Sequence, residues 1–130
     1  MSTFTRRLGK GLRINIAETA PEDADPRLRG RTYAVPFERV WQAALAIGGA
    51  WRGWNIVEAD DYEGIIRAEA TTRIFRFVDD VLIRIYLDQD AQTRVDMRSA
   101  SRKGVGDFGT NARRIGRFMR KLDRELGETG

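Results

Sequence analysis

Between Val81 and Arg98 the chain alternates in a way that few structures other than an antiparallel hairpin can use. Val81, Ile83, Ile85 and Leu87 interleave with Leu82, Arg84, Tyr86 and Asp88. Beyond a polar turn at Asp88 to Gln92, Val95 and Met97 interleave with Arg94, Asp96 and Arg98. A period of two sends the two sets to opposite faces of a sheet. Pairing about Asp90 sets Ile85 across from Val95 and Ile83 across from Met97 on a buried face. The same register sets Arg84 opposite Asp96 and Tyr86 opposite Arg94 on the exposed face, where opposite charges and a cation over an aromatic ring are favoured pairs.

A sheet with one apolar face needs a cover, and two stretches supply it. Val40, Trp41, Ala44, Leu45, Ile47, Gly48 and Trp51 recur at helical spacing, with Pro36 suited to the first turn. A second helix is expected from about Thr110 to Leu126, with Thr110 as N-cap. Its core face is Ile115, Phe118, Met119, Leu122 and Leu126, and its basic outer stripe is Arg113, Arg117, Arg120 and Arg124. Tyr33 and Val35 read as a brief strand, Trp54 to Ala59 as another, Asp60-Asp61 as a turn and Gly64 to Thr71 as the return strand. The expected fold is α+β: a single small domain with an antiparallel sheet of about four strands and two amphipathic helices packed on one face. Residues 31–126 form this domain. Residues 1–30 read as a loosely ordered arm, because a basic block and an acidic block abut around Pro21 and Pro26, and residues 127–130 as a disordered tail. Within the arm, the alternation of Leu12, Ile14 and Ile16 allows a short edge strand.

At 130 residues the chain can bury one core. It has no cysteine and no histidine, which excludes disulfides, thiol nucleophiles, the commonest general base and the commonest transition-metal ligands. Catalysis would have to rest on carboxylates, hydroxyls, tyrosine, lysine or arginine; no cofactor and no metal is expected, and a non-enzyme is favoured. No stretch approaches the ~20 apolar residues of a membrane-spanning helix. The basic N-terminus lacks the apolar core of a signal peptide, so a cytoplasmic protein is expected. The formal net charge is +4 and the basic residues are nearly all arginine, which suits planar contacts to carboxylates and phosphates but also follows from codon bias.

The unusual residues gather between Arg98 and Asn111. Arg98, Ser99, Ser101, Arg102, Lys103, Gly104, Gly106, Asp107, Gly109, Thr110 and Asn111 combine positive charge, small hydroxyls and glycines just before a helix N-terminus, where an anion is favoured. Gly104, Gly106 and Gly109 match G-x-G-x-x-G formally, but they follow a late strand and do not open a βαβ unit. A structural turn with arginines paired to carboxylates accounts for the same residues. The hairpin register places Asp79 opposite Ser101 and Asp80 opposite Ala100, next to Arg102. Such a pair can hold a hard cation or do acid–base work, or it can form salt bridges; arginine neighbours favour the last. The basic stripe lacks the interleaved aromatics of nucleic-acid modules, and no such module fits. Trp41, Trp51 and Trp54 read as core packing.

These residues carry a resemblance. Phe77-Val78-Asp79-Asp80 together with Arg98, Ser99, Ser101, Arg102, Gly104, Asp107, Gly109, Asn111, Arg114 and Ile115 resemble the paired motifs F-V-D-D and R-S-x-S-R-x-G-x-x-D-x-G-x-N-x-x-R-I of the uncharacterised domain-of-unknown-function family numbered fourteen ninety-nine. The resemblance implies a compact domain over about residues 32–126, of a kind found in bacteria and plastids and often exported or membrane-attached, with no catalytic mechanism. The site expected from the residues is therefore Asp79, Asp80, Arg98, Ser101, Arg102, Gly104, Asp107, Asn111 and Arg114. The function expected first is a non-enzymatic binding module whose anion-accepting corner takes a small anionic ligand or an acidic protein surface. The alternatives are a divalent-cation-assisted hydrolase using Asp79, Asp80 and Asp107, and nucleic-acid or membrane-surface association through the arginine stripe.

Overall fold

The computed structural model describes residues 16–102 and 109–127. Its elements run β1 (Ile16–Glu18), a 3-10 turn (Pro26–Leu28), β2 (Arg31–Tyr33), α1 (Phe37–Ala50), β3 (Trp54–Asp60), β4 (Ile65–Thr71), β5 (Val78–Leu87), β6 (Thr93–Ser101) and α2 (Thr110–Leu126). The fold is α+β, and the six strands make one antiparallel sheet in the order β1-β6-β5-β4-β3, with β2 also paired to β6.

Alternation set the β5–β6 register as expected: Ile85 faces Val95, Ile83 faces Met97 and Asp79 faces Ser101. The exposed-face register is also as expected, Arg84 opposite Asp96 and Tyr86 opposite Arg94, though the side-chain contacts differ in detail. Asp96 is taken by Arg94 on its own strand, at 2.8 Å, and by the Tyr86 hydroxyl, also at 2.8 Å. The cation over the Tyr86 ring is Arg84, 5.2 Å from the centroid.

The sheet has six strands where about four were expected. The two strands beyond the long meander are β1 and β2, each three residues long; a brief strand at Tyr33 and Val35 and a short edge strand at Leu12 to Ile16 were expected, and the observed strands fall at Arg31–Tyr33 and Ile16–Glu18. Both lie along the outer edge of β6, β1 against residues 98–100 and β2 against residues 93–95. Thr19 bridges the gap: its N–H donates to the Met97 carbonyl (2.9 Å) and its Oγ1 accepts from the Met97 N–H (3.0 Å). Residues 16–30, read from sequence as the second half of a loose arm, thus contribute to the sheet. Their abutting charges are satisfied locally, Arg27 by Asp25 at 2.8 Å and Arg29 by the Asp23 carbonyl at 2.7 Å. The remainder of the arm, residues 1–15, and residues 128–130 of the expected tail lie outside the described residues.

The inward residues of β4, β5 and β6 (Ile66, Ala68, Val81, Ile83, Val95, Met97) and the buried stripes of both helices (Val40, Trp41, Ala44, Ile47; Ile115, Phe118, Met119, Leu122) form one cluster. Each such large side chain contributes about 1.5–3 kcal/mol on burial. The aromatic residues of α1 and β3 pack within it. Trp54 stacks on Phe118 (5.9 Å, 8°), and Trp51 meets both edge-on at 5.1 and 5.8 Å. At its far end α2 is tied to β2, because Asp123 accepts from Arg31 at 3.0 Å and from the Tyr33 hydroxyl at 2.7 Å. At its start the N-cap is Gly109 in the left-handed region (φ 87°), not Thr110, which is the first helical residue.

Candidate functional site

Strand alternation separates Asp79 from Asp80. Asp79 shares the inward phase of Val81 and Ile83 and is 2% exposed, whereas Asp80 points to the opposite face. The two carboxylates therefore do not converge on one point. Among the described residues no three or more of His, Cys, Asp and Glu gather as a metal site would require.

Asp79 belongs to a buried network beneath the start of α2. Arg114 Nη1 donates to Asp79 Oδ2 at 2.8 Å, to Asn111 Oδ1 at 2.9 Å and to Ser99 Oγ at 3.1 Å. Ser99 donates to Asn111 Oδ1 at 2.6 Å, and Asn111 Nδ2 donates to Ser101 Oγ at 3.0 Å. Ser99 and Asn111 are fully buried. A buried carboxylate with a paired guanidinium and further hydrogen bonds is a satisfied arrangement. Four of the expected site residues, Asp79, Ser101, Asn111 and Arg114, thus come together, with Ser99 as a member missed at that stage.

Asp80 and Arg102 come together on the other face. Arg102 donates to both oxygens of Asp80 (2.7 and 3.0 Å) and to Glu69 Oε2 on β4 (2.8 Å), spanning three strands. Hydrogen bonding from Arg102 holds the Asp80 carboxyl below its ordinary range, and the same contacts raise the guanidinium. Arg98 lies on the same outer face as Asp80, and its charge helps hold the Asp80 carboxyl low. It lies opposite Leu82 and Glu18 and helps line a cleft of about 340 Å³ on the outer sheet face, with Glu18, Arg84, Tyr86 and Asp96. Among the described residues, one oxygen of Glu18 is buried there without a hydrogen-bond partner, and burial pushes its carboxyl up. Gly104 and Asp107, like the rest of 103–108, lie outside the described residues.

A concentration of positive charge among the described residues lies along the first half of α2. Arg113, Arg114, Arg117 and Arg120 of α2 line a cleft of about 550 Å³ with Thr110 and with Arg27 from the 3-10 turn. Gly116 lets Arg27 in: it is buried, and a Cβ there would stand 3.0 Å from Arg27 Cγ and Cδ. Arg117 lies over the Trp51 ring at 4.2 Å, a contact that orients the guanidinium without neutralising it. Arg27 is partly compensated by Asp25, and Arg114 by Asp79. The i, i+3, i+4, i+7, i+10 spacing of Thr110, Arg113, Arg114, Arg117 and Arg120 was a legible signal for a shared surface. Nothing in sequence pointed to Arg27. The partial positive charge of the helix start at Thr110 has the same sign as the arginines.

Fold and site together define a small α+β domain that presents an arginine-lined cleft over a buried Asp–Arg–Asn–Ser network. The chain belongs to the family described as "Protein of unknown function (DUF1499)", whose model matches residues 12–122. The match begins ahead of Arg31 and so takes in β1 and the 3-10 turn, in keeping with their place in the sheet. No curated protein matches the chain.

Proposed function

We propose that this domain is a non-enzymatic binding module that takes a multiply charged anion in the arginine cleft along the first half of α2. The observation that carries the reading is the gathering of Arg27, Arg113, Arg114, Arg117 and Arg120 around one cleft at a helix start. Guanidinium groups match phosphate and carboxylate oxygens in a planar, two-point geometry, and the helix dipole has the matching sign. The cleft takes in Thr110, the first residue of α2, and the Asp79–Arg114 network has a supporting role, fixing the first turns of α2 against β5 and β6.

Calorimetric titration with tripolyphosphate tests the proposal. The wild type is expected to bind with an affinity that falls as salt rises, and Arg117→Ala with Arg120→Ala is expected to weaken it at least about tenfold, since charge-assisted contacts are lost. Both side chains are exposed, so the variant keeps its core. Unchanged affinity in the double variant, or no binding by the wild type, would remove the reading.

A further inference from the structure

The connection between β4 and β5 exposes apolar side chains that the fold itself does not use. Residues 73–77, Arg-Ile-Phe-Arg-Phe, are all exposed, Ile74 at 82% and Phe75 at 71%. Isolated surface hydrophobes need no explanation, but a continuous run at a loop tip does. The tip is held in shape. Thr72 and Phe77 close it with two hydrogen bonds of 2.8 Å, Thr72 N–H to the Phe77 carbonyl and Phe77 N–H to Thr72 Oγ1. The rings of Phe75 and Phe77 stack at 5.6 Å, and Arg76 between them takes a positive φ of 58°. Neither Arg73 nor Arg76 makes an ion pair among the described residues.

We infer that this tip docks the domain on an anionic lipid surface, with Ile74 and Phe75 entering the headgroup–acyl boundary and Arg73 and Arg76 meeting lipid phosphates. The protruding shape suits a deformable bilayer better than a preformed groove. Arginine keeps its charged head at the wet boundary while its stem lies among apolar groups. The chain's net charge of +4 has the sign that anionic lipids attract. One short apolar insertion gives marginal, reversible binding, and stable attachment takes a second signal. The arginine cleft can supply it, and to that extent the inference rests on the proposed function. The tip leaves the sheet at the rung Thr71–Val78, next to Asp79, and Asp79 is held by Arg114 of the cleft. Tip and cleft therefore lie at one end of the sheet, while the β3–β4 turn with exposed Tyr62 lies at the other.

The absence of native cysteine makes the test direct. Phe75→Cys and Tyr62→Cys, each carrying one environment-sensitive dye, are mixed with phosphatidylcholine vesicles with and without phosphatidylglycerol. The inference expects a blue shift at position 75 with anionic vesicles only, silence at position 62, and vesicle affinity lowered at least about tenfold by Ile74→Ser with Phe75→Ser. No vesicle binding overturns it. Salt-sensitive vesicle binding with a silent dye at position 75, abolished by Arg117→Ala with Arg120→Ala, also overturns it but leaves the cleft reading standing. Insertion that persists in that arginine variant, in a protein that binds no tripolyphosphate, upholds the tip and sinks the cleft. A shift at position 75 that grows with protein concentration without lipid assigns the tip to a second copy of the chain and overturns the inference.

Discussion

Arg114 on α2 and Asp79 on β5 meet at 2.8 Å with only 11% and 3% of their side chains exposed. Removing one partner leaves the other charged and buried, which costs far more than the pair itself contributes. Arg114→Ala is accordingly expected to lower stability by about 3–5 kcal/mol. Replacing both together, as Asp79→Leu with Arg114→Met, should recover most of that loss. Urea denaturation of the three proteins measures it, and a double variant no better than the single one would assign the loss to the Ser99–Asn111 contacts instead.

Gly64, just ahead of β4, has φ at 74°, and a Cβ there would run into the backbone carbonyl of Ile85. The same residues are joined by a 2.8 Å hydrogen bond from the Ile85 N–H to the Gly64 carbonyl, so neither strand can retreat without losing it. Gly64→Ala should therefore cost about 2–4 kcal/mol, combining backbone strain with a backbone clash. A thermal melt within a degree or two of the wild type would contradict this.

Glu18 holds a buried oxygen with no hydrogen-bond partner among the described residues, and burial raises its carboxyl above the ordinary value of 4.5. An acid with a raised folded-state pKa retains its proton more tightly in the native protein. It therefore costs no stability below the ordinary value and progressively destabilises the fold as pH rises through the raised one. Glu18→Gln should be more stable than the wild type at neutral pH by about 1 kcal/mol, the scale of an unsatisfied polar group. The difference should close toward acid pH. Melts across pH decide it, and a variant less stable at neutral pH would show that the carboxylate is needed where it stands.

Arg102 joins Asp80 and Glu69 at the surface, with about half of each side chain exposed at the Arg102–Asp80 contact. Solvent and salt screen such pairs. Arg102→Ala should thus melt much closer to the wild type than Arg114→Ala does, and the remaining difference should shrink in high salt. The lowered Asp80 pKa adds stability that is present above its ordinary value of 3.8 and lost as pH falls through its folded value, so acid should also erase the difference. A large loss that persists in salt would move this cluster from the surface to the essential framework.

The β5–β6 register was legible because a period of two over many residues, closed by a polar turn, leaves one consistent pairing. Three residues carry too little of such a period to fix a partner, so a strand near Tyr33 and an edge strand near Ile16 could be suggested but not paired with β6, and the charges around Pro21 and Pro26 read as a loose arm. Part of the site was legible as well. Asp79 falls two residues before Val81 in the inward phase, yet its adjacency to Asp80 drew attention to a pair that alternation forbids. The Asp79–Arg114 contact and the arrival of Arg27 beside Gly116 depend on how α2 lies over the sheet, a tertiary fact that local pattern does not encode.

Along β6, short strands from two separate segments and the bridging Thr19 occupy the outer backbone groups from Thr93 to Ala100. At the opposite margin β3 carries a register shift between Ile56 and Glu58, with Val57 turned half into solvent. Unprotected margins are where sheets recruit foreign strands and begin to aggregate, and interrupted or already paired ones resist it. The small, cysteine-free domain thus guards its sheet against strand addition at both margins, by pairing along β6 and by the irregularity in β3.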